Sequence, residues 1–564
     1  MKRLLTKLAN NAWIASCRRD HDHLLHALDH TEETQAGILL NLVRQNANTV
    51  FGKKHNFDSI HSVSNYRIRV PVANYEDFRD KIMAIANGGQ NVLTASPITR
   101  LHPTSGTIAG TKLIPWNATV AHEFNQGINA WIYALHRSHP GLASGTAYWS
   151  VTPPVFRSKT NDYRLPVGFD DDASYLGVVS RSLFSLVNSV PSSIARESHP
   201  DSFQIRLLAA LLADPNLSLI SVWSPTFLDL LLDKLVTHRE ELLARLSATT
   251  PAWKQSRKRR VAEILKSLPP VEWPAALWPN LQVVSCWMDG PSKLPAQHLK
   301  QRLPVITFQP KGLVATEAFV SLPLLTNSDP VLAATSHFYE FEEVNSGTVC
   351  LAHETKPGGI YRLIVTTGGG LYRYALNDRV EVTGRIGTAP TLCFIGRDGN
   401  ASDLCGEKLS GSHVTNVVER LLALWPSQRV RFWLVAPVMC VDGPPAYTLF
   451  LETDGTKPTP STLATLSDQL ETGFQENFHY NHCRNLGQLG RVGLFLIAPA
   501  DSVNGSRGAA VFQLEMLSRG LKLGDIKPAP LDARPGWEKR LQGRFVISNR
   551  HAASHTSHQQ PETP

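Results

Sequence analysis

Apolar residues recur along this chain with two periods that alternate. Leu228, Leu231, Leu232 and Leu235 share one face at helical spacing. Ser224 before Pro225 marks the start of that helix, an N-cap residue followed by a proline whose fixed φ suits the first helical position. Short apolar runs at 217–223, 281–287, 304–308, 348–352, 360–367 and 391–395 predict strands. Helical and strand patterns interleave over the first two-thirds of the chain, which predicts a large α/β domain, residues 1–396, with more than one sheet.

Residues 397–411 fall in a polar, glycine-rich stretch and read as a hinge linker. A second pattern follows. Val414, Val417, Val418, Leu421, Leu422 and Trp425 keep helical spacing, and strands are predicted at 431–436, 446–452 and 492–498. Helices are predicted at 462–478 and 509–518. This is a small α+β domain, 412–548. Residues 549–564 are polar and aperiodic and are expected to be disordered. No repeat of solenoid period occurs.

Composition adds boundaries. At 564 residues with 42% hydrophobic and 18% charged, the chain can bury a large core without staples. A net charge of +8 favours anionic ligands. The basic residues are scattered, so nucleic-acid binding is not expected. The densest run, Lys254, Arg257, Lys258, Arg259 and Arg260, reads as a solvated surface. The seven cysteines are widely spaced with no CxxC, which argues against a disulfide framework or zinc site and for a reducing, cytoplasmic setting. The first residues are basic but lack a sustained apolar region, so no signal peptide is expected. The apolar stretches near 207–212 and 217–235 are interrupted by Asp214, Pro215, Pro225, Asp229 and Asp233, so no membrane span is expected. A monomer is expected.

Four segments carry candidate chemistry. In 104–112, Ser105, Gly106, Thr107 and Gly110 alternate hydroxyls and glycines before Lys112, which suits a phosphate-holding loop. The spacing is not that of a Walker A motif. In 312–318, Thr316 beside Glu317 pairs a hydroxyl with a carboxylate able to hold Mg²⁺. In 366–378, three glycines precede Tyr372, Arg373 and Asp378, and a carboxylate placed after a turn can accept from a ribose diol. Near the end, 524–528 carries Lys527. Taken singly, each reads as readily as a flexible loop, a turn residue or a surface charge.

Their order is more specific. It resembles that of the adenylate-forming superfamily of firefly luciferase, acyl-CoA synthetases and nonribosomal adenylation domains. Phe51–Phe57, Tyr66-Arg67, Val70-Pro71-Val72, Tyr75-Glu76-Asp77, Pro103–Gly106, Pro310–Glu317, Phe394–Arg397, Asn477, Tyr480, Arg484 and Gly524–Lys527 together resemble the Gretchen Hagen 3 family of acyl-acid amido synthetases, and within it the bacterial branch. The resemblance implies a large multi-sheet adenylate-forming domain and a small mobile C-terminal domain. It implies ATP and Mg²⁺ as cofactors, and a carboxylic acid and an amine, an amino acid, as substrates. Ser105, Gly106, Thr107 and Lys112 would hold the ATP phosphates. Ala315, Thr316 and Tyr372 would contact the nucleotide, with Thr316 at the α-phosphate and Glu317 at Mg²⁺. Asp378 would hold the ribose, Arg397 and Asp398 would mark the hinge, and Lys527 would enter from the small domain.

The family's bacterial members read Tyr-Arg-Tyr-Arg-Leu-Gly-Asp where this chain reads Tyr372-Arg373-Tyr374-Ala375-Leu376-Asn377-Asp378. Ala375 therefore removes a guanidinium, and Asn377 replaces a glycine with a residue that tolerates the left-handed region. An acyl-CoA ligase and a non-catalytic adenylate-binding descendant are the alternative readings.

Overall fold

The computed structural model describes residues 2–104, 112–150, 163–168, 184, 186–197, 199–249, 255–325, 328–398, 401–425, 429–440, 443–454, 458–499 and 507–547. The hydroxyl/glycine stretch 105–111 and the tail 549–564 lie outside them. The chain divides into two units, Met1–Ile395 with Gly520–Ile526, and Gly396–Arg519 with Lys527–Pro564. Each is taken by itself.

The larger unit is built on three sheets. Strands β1 (Arg100–Pro103) and β2 (Leu113–Trp116) form an antiparallel hairpin. Strands β3 (Thr146–Trp149), β4 (Leu217–Ser221), β5 (Val283–Cys286) and β6 (Thr307–Pro310) form a parallel sheet in that order. Parallel neighbours need long crossovers, and helices such as Pro200–Leu212, Pro225–Thr237 and Lys293–Arg302 supply them. β4 and β5 are buried at every position, as expected of strands covered on both faces.

Strands β7 (Ser321–Leu322), β8 (Val331–Leu332), β9 (Phe338–Glu343), β10 (Val349–Leu351), β11 (Ile360–Thr366), β12 (Tyr374–Ile386) and β13 (Ala389–Arg397) form the largest sheet, ordered β10-β9-β11-β12-β13-β8-β7. β12 alternates buried and half-buried residues from Tyr374 to Val382, the signature of a strand with one face in the core. Leu39, Val43 and Ile82 from the early helices pack with Tyr339, Leu363 and Val380 from this sheet.

A buried ion pair organises the edge of that core. Glu340 on β9 accepts from Nε and Nη2 of Arg373 at 2.8 and 3.0 Å. Arg67 lies against the same carboxylate at 3.2 Å from the partly exposed side. The remaining guanidinium nitrogen of Arg373 donates to the carbonyls of Arg67 and Val70. Ala73 then bridges to Tyr374, with Ala73 N donating to Arg373 O and Ala375 N to Ala73 O. The Tyr66-Arg67 and Val70-Pro71-Val72 motifs are thus frame, fixing where 372–375 runs.

The smaller unit carries a sheet ordered β16 (Arg429–Val438), β17 (Ala446–Asp454), β18 (Gly493–Ile497) and β19 (Gly543–Ile547), preceded by a short hairpin β14 (Ala401–Ser402) and β15 (Leu409–Ser410). The expected linker 397–411 is therefore partly built structure. The buried Glu407 draws it in, accepting from the N–H groups of Leu404 and Cys405 and from the hydroxyl of Tyr447. Asn477, Tyr480 and Arg484 are also frame. Asn477 caps its helix by accepting from Tyr480 N, while Tyr480 Oη and Arg484 Nε donate to the buried Glu471.

Two smaller readings change. Ser224 precedes the helix Pro225–Thr237, but its hydroxyl makes no capping hydrogen bond. Arg257 does not belong to a solvated run: it turns inward and donates to the carbonyls of Leu212 and Leu277.

Removing Arg373 leaves Glu340 buried and short of charge compensation. Arg373→Met is expected to lower the stability of the larger unit by about 3 kcal/mol in urea unfolding followed by tryptophan fluorescence. Arg67→Met, on the wetter side of the same carboxylate, should lower it much less. Equal losses would show that the buried pair has no special weight.

Candidate active site

After β6 the chain makes a tight hairpin. Leu313 N donates to Ser321 Oγ, Val314 bridges Phe319, and Ala315 N donates to Ala318 O. Gly312 sits at φ +73°, and a Cβ there would lie 2.3 Å from Ser321 O, so glycine is required at this root. The tip presents Ala315 and Thr316 half-buried and Glu317 buried.

The glycine-rich stretch after β11 packs tightly. Cβ atoms at Gly368 and Gly370 would lie 2.4 Å from Thr119 Cγ2 and 2.5 Å from Leu93 Cβ. The side chain of Asn117, which also caps the helix Ala118–Ser138, donates to Gly368 O. Gly368 therefore admits the backbone to that helix, and Gly370 admits it to the segment at Leu93. Asn377 lies at φ +62°, where β12 bulges against β11 between Arg362 and Ile364. Asparagine does take the left-handed position there. Asp378 follows at an inward register, 5% exposed, between Leu376 and Val380. It lies within a strand, not just after a turn.

One buried carboxylate ties these two segments together. Glu123, from the helix Ala118–Ser138, accepts from Gly368 N at 2.9 Å. Nδ1 of His337 lies 2.9 Å from the other Glu123 oxygen, off the line of the ring N–H, so the contact is electrostatic more than a well-aligned hydrogen bond. On the opposite side of the ring, Phe319 N donates to His337 Nε2 at 3.1 Å. That bond makes Nε2 the acceptor and leaves the proton on Nδ1, facing Glu123. Neither Glu123 nor His337 stands out in the sequence, because a lone Glu on a helix and a lone His before a strand are ordinary.

Other expected site residues fall as follows. Thr104 N donates to Lys112 O, closing the β1–β2 hairpin around 105–111, so Ser105, Gly106 and Thr107 lie outside the described residues. Lys112 is half-buried, its ammonium 5.5 Å from the centroid of Tyr75. His102 on β1 is held neutral, burial pushing its imidazole down to about 3. Tyr372 departs from its expected place at the nucleotide. Its side chain is fully buried, stacked on Phe51 at 4.6 Å, and its hydroxyl donates to Leu93 O, so it is core and cannot reach a nucleotide. Arg397 ends β13, and Asp398 follows in a turn. Lys527 is exposed and belongs to the smaller unit.

Lys311, just before the hairpin, went unassigned in the sequence. It is buried, with Nζ 2.6 Å from Ser221 Oγ and 4.9 Å from the ring centroids of both Trp131 and Trp223. Burial pushes its amine down to about 7.

The larger unit combines a parallel sheet, a large antiparallel sheet and these loops in the fold of an acyl acid amido synthetase. One solved structure, the AtGH3.15 acyl acid amido synthetase in complex with 2,4-DB, superposes with a TM-score of 0.77 at 20% identity, covering 93% of this chain and 95% of that one. The N-terminal, central and C-terminal domains of the GH3 (Gretchen Hagen 3) family match residues 21–304, 330–397 and 412–529, and the chain belongs to that family. Among its relatives, the probable indole-3-acetic acid-amido synthetase GH3.2 of Oryza sativa subsp. japonica is 24% identical over 73% of this chain and 74% of its own length. The indole-3-acetic acid-amido synthetase GH3.4 of Arabidopsis thaliana is 23% identical over 71% and 72%.

Lys311 generates a pH-dependent prediction. Its amine is near 7 in the folded protein and at its ordinary 10.5 when unfolded. Between those values the unfolded chain binds the extra proton, so stability rises with pH across that window. The urea midpoint of the protein, compared with that of Lys311→Met, should therefore gain between pH 7 and 10. A difference that stays flat with pH would refute the depressed amine.

Proposed function

We propose that the protein is an ATP-dependent acyl-acid amido synthetase. It activates a carboxylic acid as its acyl adenylate and passes the acyl group to an amine, with an amino acid as acceptor. The observation that carries this reading is the Glu123–His337 link. It holds the Thr316-Glu317 hairpin and the segment leading to Asp378 in one frame. Family membership and the amido synthetase names of the relatives support it.

A carboxylate is a poor acyl donor because oxide is a poor leaving group. In the first step a substrate oxygen attacks the α-phosphorus of ATP, a P–O bond forms, and pyrophosphate leaves. Ser105, Gly106, Thr107 and Lys112 would hold the phosphates, Thr316 the α-phosphate, and Asp378 the ribose diol. In the second step the amine attacks the acyl carbon, AMP departs, and the amine proton passes to solvent or to AMP. Such transfers rest on positioning and charge stabilisation. The smaller unit, joined after residue 395, would act as a mobile lid carrying Lys527.

Glu317 would hold Mg²⁺. Magnesium beside a nucleotide takes one or two carboxylates and completes its shell with phosphate and water, so a single buried carboxylate beside a hydroxyl fits it. The ion supplies charge compensation for the triphosphate when bound.

The acceptor separates this reading from an acyl-CoA ligase. With its best acid, the purified protein should form amide with an amino acid in preference to a thioester with coenzyme A, read by mass spectrometry. Thioester formation with no amide from any amine tested would overturn the proposal.

Lys527 offers a sharper test. Lys527→Ala should slow pyrophosphate exchange by about 10²–10³, the cost of losing one preorganised donor. Chemically made acyl adenylate should still be converted to amide by that variant. Lys522→Ala removes one charge from the same segment and should do much less, so equal effects of the two would mean the catalytic lysine is misassigned.

A further inference from the structure

The proposed reaction leaves Lys311 unused. All four strands β3–β6 run parallel, so their carboxyl ends lie at one edge, where ligands settle in sheets of this kind. At that edge Trp149, Ser221, Ser285 and Gln309 stand side by side in register and share a face. Lys311 reaches Ser221 on β4 from just past the end of β6, and Trp223 lies tilted against Trp287 at 5.7 Å. From the helix above, the indole of Trp131 donates to Gln309 Oε1, meets Trp149 edge-on at 5.5 Å and faces the Lys311 ammonium.

This cluster is polar where a core would be apolar. Lys311 has three N–H donors, and among the described residues it uses one of them, on Ser221. Among the described residues no carboxylate pairs with it. Ser285 is fully buried, and among the described residues neither its hydroxyl nor the buried indole N–H of Trp149 has a partner. A buried ammonium without a counter-ion is destabilising, and aromatic faces offset only part of that. A lysine retained there, between flat rings and beside unfilled hydrogen-bonding groups, matches a planar ligand bearing an oxygen acceptor.

Lys311 is the root of the hairpin whose tip is Thr316. Five residues of extended backbone at about 3.3 Å each set an upper bound of about 16 Å between root and tip, within which a ring-bearing acid fits. We propose that this tryptophan–lysine cluster holds the far end of the acid substrate. The acid would then be aromatic and carry a ring oxygen, a phenolic hydroxyl or a second carboxylate, that meets Lys311 and Ser285 while its reacting carboxylate lies at the Thr316 tip. This rests on the amido synthetase reading.

Benzoate, 4-hydroxybenzoate and benzene-1,4-dicarboxylate test it by two readouts, quenching of tryptophan fluorescence and kcat/KM for pyrophosphate exchange. The protein should favour at least one oxygen-bearing acid over benzoate by about tenfold or more in both readouts, because a site built to hydrogen-bond an oxygen rejects the analogue lacking it. In Lys311→Met that ratio should fall towards one, and the choice between the two oxygen-bearing acids identifies the group. Should Lys311→Met fail to fold, Ser285→Ala has to lower the same ratio. No preference in the protein, a preference that survives both substitutions, or no quenching by any of the three overturns the proposal. Discrimination in quenching without pyrophosphate exchange keeps the site and overturns the ligase reading. Exchange without discrimination does the reverse.

Discussion

Glu340 is fully buried on β9, and two arginines converge on it. A carboxylate taken out of water is tolerable only if paired and hydrogen-bonded, and here the pairing also solves a second problem. Arg373 has a left-handed backbone, φ +47°, at the turn into β12. Its side chain, clamped by Glu340 and by the carbonyls of Arg67 and Val70, holds that turn in place. Everything downstream on β12 inherits its register from this clamp, including the bulge at Asn377 and the inward Asp378.

A second carboxylate, Glu123, joins that strand's approach to the hairpin after β6. The two loops come from distant parts of the sequence, yet each gives one backbone N–H to the same short chain, Gly368 to Glu123 and Phe319 to His337. In a low-dielectric interior such contacts reinforce one another, and a half-satisfied member would be costly. The geometry of the candidate site is thus fixed by groups that need not touch a substrate. Gly368 and Gly370 serve the same end by letting backbone lie against the helix Ala118–Ser138 and against Leu93.

Several motifs of the sequence are scaffold. Tyr372 sits in a motif beside Asp378, but its ring stacks on Phe51 and meets Phe57 edge-on. The Asn477, Tyr480 and Arg484 set satisfies Glu471, and the polar stretch before residue 411 folds over Glu407. In the last two cases a buried carboxylate is the hub. Sequence alone treats a carboxylate as a surface residue by default, so hubs of this kind are invisible until their partners arrive from elsewhere in the chain.

The sequence by itself determined the alternation of helices and strands, the change of pattern near residue 396, and the run of short motifs that mark the family. Those features are local: period, turn chemistry and order along the chain express them directly. The tertiary structure decided that Glu123 and His337 bridge two loops, that Lys311 lies between Trp131 and Trp223, and that Tyr372 faces inward. Each depends on residues tens to hundreds of positions apart, and burial, which sets the weight of every charge and hydrogen bond among them, exists only once the sheets and helices have packed.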